Sequence, residues 1–204
     1  MAAPHDWASL EAVLRTAVDD DAAHLDVIAE DVRPQLSEAS QLTESLRLYD
    51  TSYHAELNWW TAPFETREGI PQSSLVSSAE TERVAVGRAF PVIPHSERRA
   101  SIDEDRSKVL VLATDGDTRE DALRSGEMLS RVLLECTLAG MATCVVTHVT
   151  EVAASRHLIA TLLDRTAWPQ ALIRVGVAPI LEPLPPPTPR RPLSDVLEFR
   201  PARL

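Results

Sequence analysis

The first candidate for ligand chemistry is a point where a run of apolar residues stops, at Val146, Thr147 and His148. The residues before it, ATCVV, are typical of a buried strand, and a helical pattern begins shortly after it. A strand that turns before a helix leaves backbone N–H groups free, and such groups can donate hydrogen bonds to a heteroaromatic ring. The alternative is an ordinary strand-to-helix connection, which the spacing by itself favours.

A second candidate is the pair Arg190 and Arg191, which lies within the proline-rich stretch TPRRP. Arginines in a stiff, extended segment are suited to binding a phosphate, because the guanidinium group donates two parallel hydrogen bonds to an oxyanion. The pattern alone favours a solvated surface tail, and a PxxP peptide ligand is a further, weaker interpretation.

A third candidate is the long irregular stretch from Thr61 to Asp105, beside three aromatic residues that could stack on a flat ligand: Trp59, Trp60 and Phe64. Irregular segments of this length are usually lids, binding loops or disordered chain. We therefore predict a lid-like insertion, with a short helix at residues 77–84. Aromatic residues at helical spacing are more often part of the core, and that alternative stays open.

Several common catalytic motifs are missing from the sequence. It contains no G-x-G-x-x-G, Walker A, G-x-S-x-G or H-E-x-x-H motif, which argues against a Rossmann dinucleotide site, a P-loop, an esterase and a zincin. His54 and Glu56 would lie on different sides of a helix, which is poor geometry for a metal. Cys136 and Cys144 have small apolar neighbours and are predicted to be core thiols. We predict neither a catalytic side chain nor a metal site.

The apolar pattern predicts the elements that position these residues. Their order is helix, strand, long helix, long loop, strand, helix, strand, helix, strand and extended tail at 179–204. Thr118 and Thr150 are expected to cap two helices, and Gly140 to end one. The expected class is α+β, with a mixed sheet of about four strands covered by helices. The predicted helices cover residues 7–17, 34–60, 118–139 and 151–164, and the predicted strands cover 25–30, 107–115, 142–146 and 169–179.

Composition limits the classes of function. The chain has 204 residues, of which 44% are hydrophobic, and this fits a single domain at 1–204. A net charge of -11, without a basic run beside aromatic residues, argues against a nucleic-acid partner. No apolar stretch is long enough to span a membrane, and the first residues lack the pattern of a secretory signal. The sequence therefore predicts a cytoplasmic protein without a membrane partner.

Five stretches resemble the nitroreductase superfamily of FMN-dependent flavoproteins, and specifically its actinobacterial Acg-type branch. The most specific stretch is LTESLRLYDTSYHAELNWWT at 42–61. The others are EGIPQSSLVSSAE at 68–80, RSKVLVLATD at 106–115, SGEMLSRVLLECTLAGMATC at 125–144 and PQALIRVGVAPILEPLPPPTPRRPLSDVL at 169–197. Members of this branch fuse two nitroreductase-like halves, and this chain resembles the C-terminal half over nearly its whole length.

The resemblance implies a binding site. In nitroreductases, backbone N–H groups after the strand that follows the central helix face the N5 and O4 edge of FMN, and the matching positions are Val146, Thr147 and His148. Basic residues near the C-terminal end approach the FMN phosphate, and the matching pair is Arg190 and Arg191. The insertion at 61–94 resembles a lid over the flavin, and NAD(P)H would be the electron donor.

Two segments of the family have no match in this sequence: the phosphate-binding run Arg-Arg-Ser/Thr-x-Arg and the segment Ala-Pro-Ser-x-x-Asn-x-Gln-Pro-Trp. The resemblance therefore implies a homodimer, or a missing N-terminal half that supplies them. Three functions remain as alternatives. They are an FMN-dependent NAD(P)H oxidoreductase, a non-enzymatic FMN-binding or sequestering protein, and an incomplete half without flavin affinity that self-associates through the helix at 118–139.

Overall fold

The fold is an α+β arrangement in which two layers of helices cover one antiparallel sheet. The computed structural model describes residues 1–62, 69–92, 104–163, 165–178 and 190–198. The strands are β1 (His24–Val27), β2 (Lys108–Thr114), β3 (Ala142–Val146) and β4 (Trp168–Gly176). The helices are α1 (Trp7–Ala17), α2 (Arg33–Leu46), α3 (Thr51–Trp60), α4 (Ser78–Glu82), α5 (Arg119–Leu138), α6 (His148–Glu151), α7 (Ala153–Thr161) and α8 (Leu193–Val196).

The sheet has the strand order β1-β2-β4-β3, and its strand pairings are antiparallel. The α+β class and the four strands are confirmed. The expected mixed sheet would contain a parallel pair, and the described residues form none. Strands β2 and β3 run in the same direction, but β4 lies between them and pairs antiparallel with each. Strand β3 was expected to be fully buried, but it lies at the sheet edge, and its Val145 is 37% exposed.

The sheet divides the core into two parts, and helices cover each of them. Because side chains alternate along a strand, neighbours such as Leu110 and Val111 belong to different parts. The part under α1 and α5 includes Leu10, Leu14, Leu110, Leu112, Val132, Cys136 and Ile173. The part under α2, α6 and α7 includes Leu36, Ala39, Val109, Val111, Val146, Val149, Ile159 and Leu172.

The single long helix predicted at 34–60 is wrong, because a short turn separates α2 from α3. Asp50 begins α3 by accepting a hydrogen bond from the Tyr53 N–H at 3.0 Å. The His54 ring nitrogen lies 3.1 Å from the carbonyl oxygen of Arg47 and 3.1 Å from that of the next residue. The turn thus has its own capping contacts, although the apolar spacing continues through it.

The predicted helix after β3 is also divided. Thr150 lies inside α6 and does not cap a helix, and its hydroxyl is within 2.8 Å of the Thr147 carbonyl oxygen and 3.0 Å of the Gln170 carbonyl oxygen. Val152 is extended, with φ -102° and ψ 121°, and α7 begins after it. The Thr150 contact with Gln170 ties α6 to strand β4, and α6 begins at His148, earlier than the predicted helix.

Helix α5 is confirmed at both ends. The Thr118 hydroxyl accepts a hydrogen bond from the Asp121 N–H at 3.2 Å, and the Asp121 carboxylate accepts one from the Thr118 N–H at 2.8 Å. Gly140 follows the helix with a φ of 71°, as expected of a glycine that ends one. The outer face of α5 carries three leucines that are 66%, 61% and 81% exposed: Leu123, Leu134 and Leu138.

The irregular stretch and the tail are described only in part. Residues 69–92 contain α4, near the short helix predicted at 77–84. Residues 63–68 and 93–103 of the predicted lid-like insertion, and most of the predicted extended tail, lie outside the described residues. None of the helices in the described chain is long and apolar enough to cross a membrane.

Candidate functional site

The candidate site is a cavity of about 560 Å³ beside the exposed edge of β3. Most of the described residues in its wall belong to β3 with the turn after it, to the segment 76–90 that contains α4, or to the charged pair Asp105 and Arg174, and Met1 and Ala178 complete the described lining. The volume lies within the range of roughly 300–1,000 Å³ that small-molecule and cofactor sites occupy. Much of the lining is apolar and comes from Val76, Val84, Phe90, Cys144, Val145 and Val146.

The three residues predicted at the strand end, Val146, Thr147 and His148, all line this cavity. Strand β3 ends at Val146, and Thr147 connects it to α6. Among the residues that the structure describes, the backbone N–H groups of Thr147 and His148 donate to no acceptor. Both groups are therefore available to a ligand that presents hydrogen-bond acceptors.

The His148 side chain is also part of the cavity wall and is only 2% exposed. Its Nε2 lies 3.4 Å from the Ser40 hydroxyl and 3.8 Å from a carboxylate oxygen of Glu44. The Ser40 hydroxyl donates to the Gly87 carbonyl oxygen at 3.3 Å, so it can only accept from the ring. We therefore assign the proton to Nε2, which leaves the buried Nδ1 as an acceptor without a partner in the described chain.

The ring of His148 is neutral near physiological pH. Burial lowers the pKa of His148 to about 4, and the charge of Arg88 acts in the same direction, whereas Glu151 opposes it. A charged imidazole would lose its hydration here without gaining a strong ion pair. The residue therefore contributes a fixed shape and hydrogen-bonding groups to the cavity.

Asp105 and Arg174 form the charged part of the wall. Arg174 lies on the central strand β4, and its Nη2 and Nε are 2.9 Å and 3.1 Å from the same carboxylate oxygen of Asp105. That oxygen also accepts from the Ser107 hydroxyl at 2.9 Å and from Arg33 at 3.2 Å. Burial by itself would raise the pKa of Asp105, but the charge and hydrogen bonds of Arg174 lower it to about 2. Asp105 thus pairs with Arg174 inside the protein, and it shares its charge with Arg33 and with the amino group of Met1, which lies 3.0 Å from its other oxygen.

Arg88 supplies another cation to the lining. Its Nε donates to the Tyr53 hydroxyl at 3.1 Å, and its guanidinium carbon lies 4.6 Å from the centre of the Tyr53 ring. Arg47 lies 4.7 Å from the same ring but forms an ion pair with Glu151. Arg88 forms no ion pair with a carboxylate of the described chain.

The other residues predicted from the sequence are not on the cavity wall. Arg190 and Arg191 are exposed, lie just before α8 and do not line the cavity beside β3. Trp59 and Trp60 contact each other edge to face, with ring centres 4.7 Å apart, and Phe64 lies outside the described residues. The described chain holds no group of side chains that could bind a metal ion.

Sequence reasoning missed four side chains of the site: Arg88, Asp105, the imidazole of His148, and Arg174. Only Arg174 carried a signal, because an arginine within the apolar run ALIRVGV must find a partner when the strand is buried. The other three gain their roles from contacts between distant parts of the chain, which spacing does not reveal.

A second cavity, of about 630 Å³, lies between α7 and the start of β4. Its Arg156 makes two 2.7 Å hydrogen bonds to Asp117 and another of 2.8 Å to the Pro169 carbonyl oxygen. The same guanidinium lies 5.3 Å from the centre of the Trp168 ring. Because the principal cation here is already paired, this cavity offers a ligand fewer free groups than the cavity beside β3, although it is slightly larger.

Two solved structures with a similar fold are nitroreductases. One is the FMN and NADPH-dependent nitroreductase NfnB from a sphigopyxis strain, with a TM-score of 0.56 and 14% identity over 98% of this chain and 92% of that one. Another is a nitroreductase with bound FMN from Desulfitobacterium hafniense, with a TM-score of 0.55 and 11% identity over 97% of this chain and 88% of that one. At these identities the likeness shows the fold, which is the nitroreductase fold.

Sequence similarity narrows the class further. Over 199 residues, which are 98% of this chain, the sequence is 59% identical to a Mycobacterium tuberculosis protein named "Putative NAD(P)H nitroreductase acg". The resemblance to Acg-type nitroreductases is thereby confirmed. The chain spans 60% of the length of that relative. No protein-family model matches the sequence.

Proposed function

We propose that the cavity beside β3 binds FMN, and that the chain acts as an NAD(P)H-dependent oxidoreductase of the nitroreductase type. The observation that carries this proposal is the pair of N–H groups at Thr147 and His148, which have no acceptor in the described chain and lie on the cavity wall. The similarity to the Acg protein and the nitroreductase fold support flavin over other flat heteroaromatic ligands.

The residues present fit a flavin. Its ring system is flat and largely apolar, and Cys144, Val145 and Phe90 supply apolar surface in the wall. One edge of the ring carries hydrogen-bond acceptors, and the N–H groups of Thr147 and His148 are donors. The cavity volume of about 560 Å³ is sufficient for a ring system of this size.

FMN, when bound, supplies hydride and electron transfer between NAD(P)H and an acceptor. The residues of this chain hold and orient the cofactor and exclude water from it. The N–H groups of Thr147 and His148 fix the polar edge of the ring. The His148 imidazole, neutral and bonded to Ser40, holds the turn in place. None of these roles requires a side chain to act as an acid or a base.

Three further features belong to the proposal. Arg190 and Arg191 would approach the FMN phosphate when the tail lies beside the cavity. The segment 61–105 would serve as a lid, since its described part at 76–90 already lines the cavity. A second copy of the chain, or a further half of the same protein, would supply additional phosphate contacts.

The alternative function is flavin binding without turnover. The observation that favours it is the position of segment 76–90 in the cavity wall, because a nicotinamide must reach the face of the ring to transfer hydride. The two functions are separated by adding NADPH to the FMN-bound protein without oxygen. Bleaching of the flavin absorbance supports the oxidoreductase. A flavin that dithionite bleaches and NADPH does not supports the binding protein.

The binding site is tested by Thr147→Pro, which removes one donor N–H. Loss of one hydrogen bond should weaken FMN binding by about tenfold, measured by quenching of flavin fluorescence. Ala153→Pro is the matched control, because it places a proline at the first residue of α7, where proline is tolerated, and Ala153 lines only the second cavity. Equal FMN affinity in the Thr147→Pro and Ala153→Pro variants, with unchanged circular dichroism, would contradict the proposed site.

A further inference from the structure

We propose that Arg88 binds an anionic group, a carboxylate or a phosphate, on the molecule that occupies the cavity beside β3. The identity of that molecule as a flavin or its electron acceptor rests on the proposed function. The anion preference itself rests on the charges and contacts of the cavity wall.

The first argument is the pairing of the charges. Of the residues that the structure describes, three arginines line the cavity: Arg83, Arg88 and Arg174. Arg174 is paired with Asp105 at 2.9 Å, and Arg83 is engaged in interactions of its own. Arg88 donates from Nε to a neutral phenol, and its two terminal nitrogens have no acceptor in the part of the chain that the structure describes. Among the described residues this half-buried cation therefore has no counter-ion.

The second argument is that Arg88 is held in place. Its guanidinium stacks 4.6 Å above the ring of Tyr53, which is itself 4% exposed. The residues on either side are fixed to α2: the Gly87 carbonyl oxygen accepts from Ser40, and the Ala89 N–H donates to Glu44 at 3.2 Å. An arginine held in this way loses little freedom when it binds a ligand, so its charge is available at low entropic cost.

The third argument concerns the field inside the cavity. The chain carries a net charge of -11, so most of its surface repels anions. The positive charge of Arg88 opposes this repulsion inside the cavity. The same charge lowers the pKa of His148 on the same wall, as the second cause of that shift next to burial. A planar oxyanion can accept two parallel hydrogen bonds from the terminal nitrogens of a guanidinium group.

Two ligands could supply such an anion. One is an electron acceptor that carries a carboxylate or phosphate, and the other is the cofactor, through its phosphate. The place of Arg88 near His148, at the wall proposed for the polar edge of the ring, favours the acceptor. The two sources are distinguished by comparing two pairs of probes that differ in charge.

The probes are 4-nitrobenzoate against 4-nitrobenzamide, and FMN against riboflavin, with binding to the whole chain measured by isothermal titration calorimetry. The protein should prefer the charged member of at least one pair by about tenfold, and Arg88→Gln should reduce that preference to near unity without weakening the neutral member. Arg124→Gln is the control, since it removes the same charge from the exposed surface of α5. If the preference that depends on Arg88 is the one for 4-nitrobenzoate, the anion belongs to the electron acceptor. If it is the preference for FMN over riboflavin, the anion is the phosphate of the cofactor.

The inference is overturned if the unaltered protein prefers neither charged probe, or if Arg88→Gln keeps the preference. Should the variant not fold, competition in the unaltered protein decides the matter: inorganic phosphate should displace the charged probe and not its neutral partner. Carboxylate preference without flavin binding would retain the anion site and refute the proposed function. Flavin binding without any charge preference would agree with the proposed function and refute the anion site.

Discussion

Asparagine in place of Asp105 would remove the charge that compensates Arg174. Both residues are buried, at 5% and 7% exposure, and the carboxylate accepts hydrogen bonds from Arg174, Arg33 and Ser107. Asparagine keeps the size of the side chain but offers one neutral oxygen in place of two charged ones. The change therefore tests the ion pair with little effect on packing.

The size of the effect follows from the structure in two ways. Leaving one partner of a buried ion pair uncompensated costs about 3–5 kcal/mol. The pKa of Asp105, about 2 against an ordinary 3.8, corresponds to about 2 kcal/mol of stability at neutral pH. Because the folded pKa is depressed, this stability is present above pH 3.8 and is lost as the pH falls through about 2. We expect Asp105→Asn to lower the free energy of unfolding by about 2–5 kcal/mol at pH 7.

Urea denaturation at pH 7 measures this loss, and Asp117→Asn is the matched control. Asp117 also makes two hydrogen bonds to an arginine, both 2.7 Å from Arg156, but its side chain is 42% exposed. The control should cost less than about 1 kcal/mol, because water screens exposed pairs. Adding Arg174→Met to Asp105→Asn should recover part of the loss. A cost for Asp105→Asn no greater than that of the control would refute the argument.

Three other predictions concern pH, glycine and the tail. His148 has a folded pKa of about 4 against an ordinary 6.5, so its contribution to stability is present above pH 6.5 and is lost as the pH falls through 4. His148→Gln should therefore reduce the pH dependence of the free energy of unfolding in urea between pH 6.5 and 4, and an unchanged dependence would contradict this prediction. Gly140→Ala should lower the free energy of unfolding by about 1 kcal/mol because of its φ of 71°, whereas Gly126→Ala inside α5 should raise it by about 0.5–1 kcal/mol. The melting temperatures of the two variants should therefore shift in opposite directions, and shifts in the same direction would contradict the prediction. Joint replacement of Arg190 and Arg191 by alanine should weaken FMN retention, and equal retention would remove them from the proposed site.

The parts of the fold that the sequence predicts well are those fixed by local signals. Strands β2 and β4 appear as largely apolar runs, with Arg174 as the one charged residue inside β4, because they lie in the middle of the sheet and are covered on both faces. Helix α5 is bounded by Thr118 and Gly140, whose roles depend only on nearby backbone. The strand end at Val146 was found for the same reason, since the apolar pattern stops there.

The parts that the sequence did not predict depend on contacts between distant residues. The turn between α2 and α3 is stabilised by Asp50 and His54, while the apolar spacing continues across it. Asp105 and Arg174 are 69 positions apart, and no local pattern connects them. Arg88 lies in a segment without a periodic pattern, and only its contact with Tyr53 shows why it lies on the cavity wall.

The most direct test of the proposed site is a titration of the ¹⁵N-labelled chain with FMN, observed through the backbone amide signals of Thr147 and His148. If these N–H groups hold the polar edge of the flavin, both signals should shift in proportion to bound FMN, and Thr147→Pro should reduce the occupancy. Amide signals of α7, which does not line this cavity, should stay in place. FMN binding that leaves Thr147 and His148 unmoved, or no binding at all, would contradict the account.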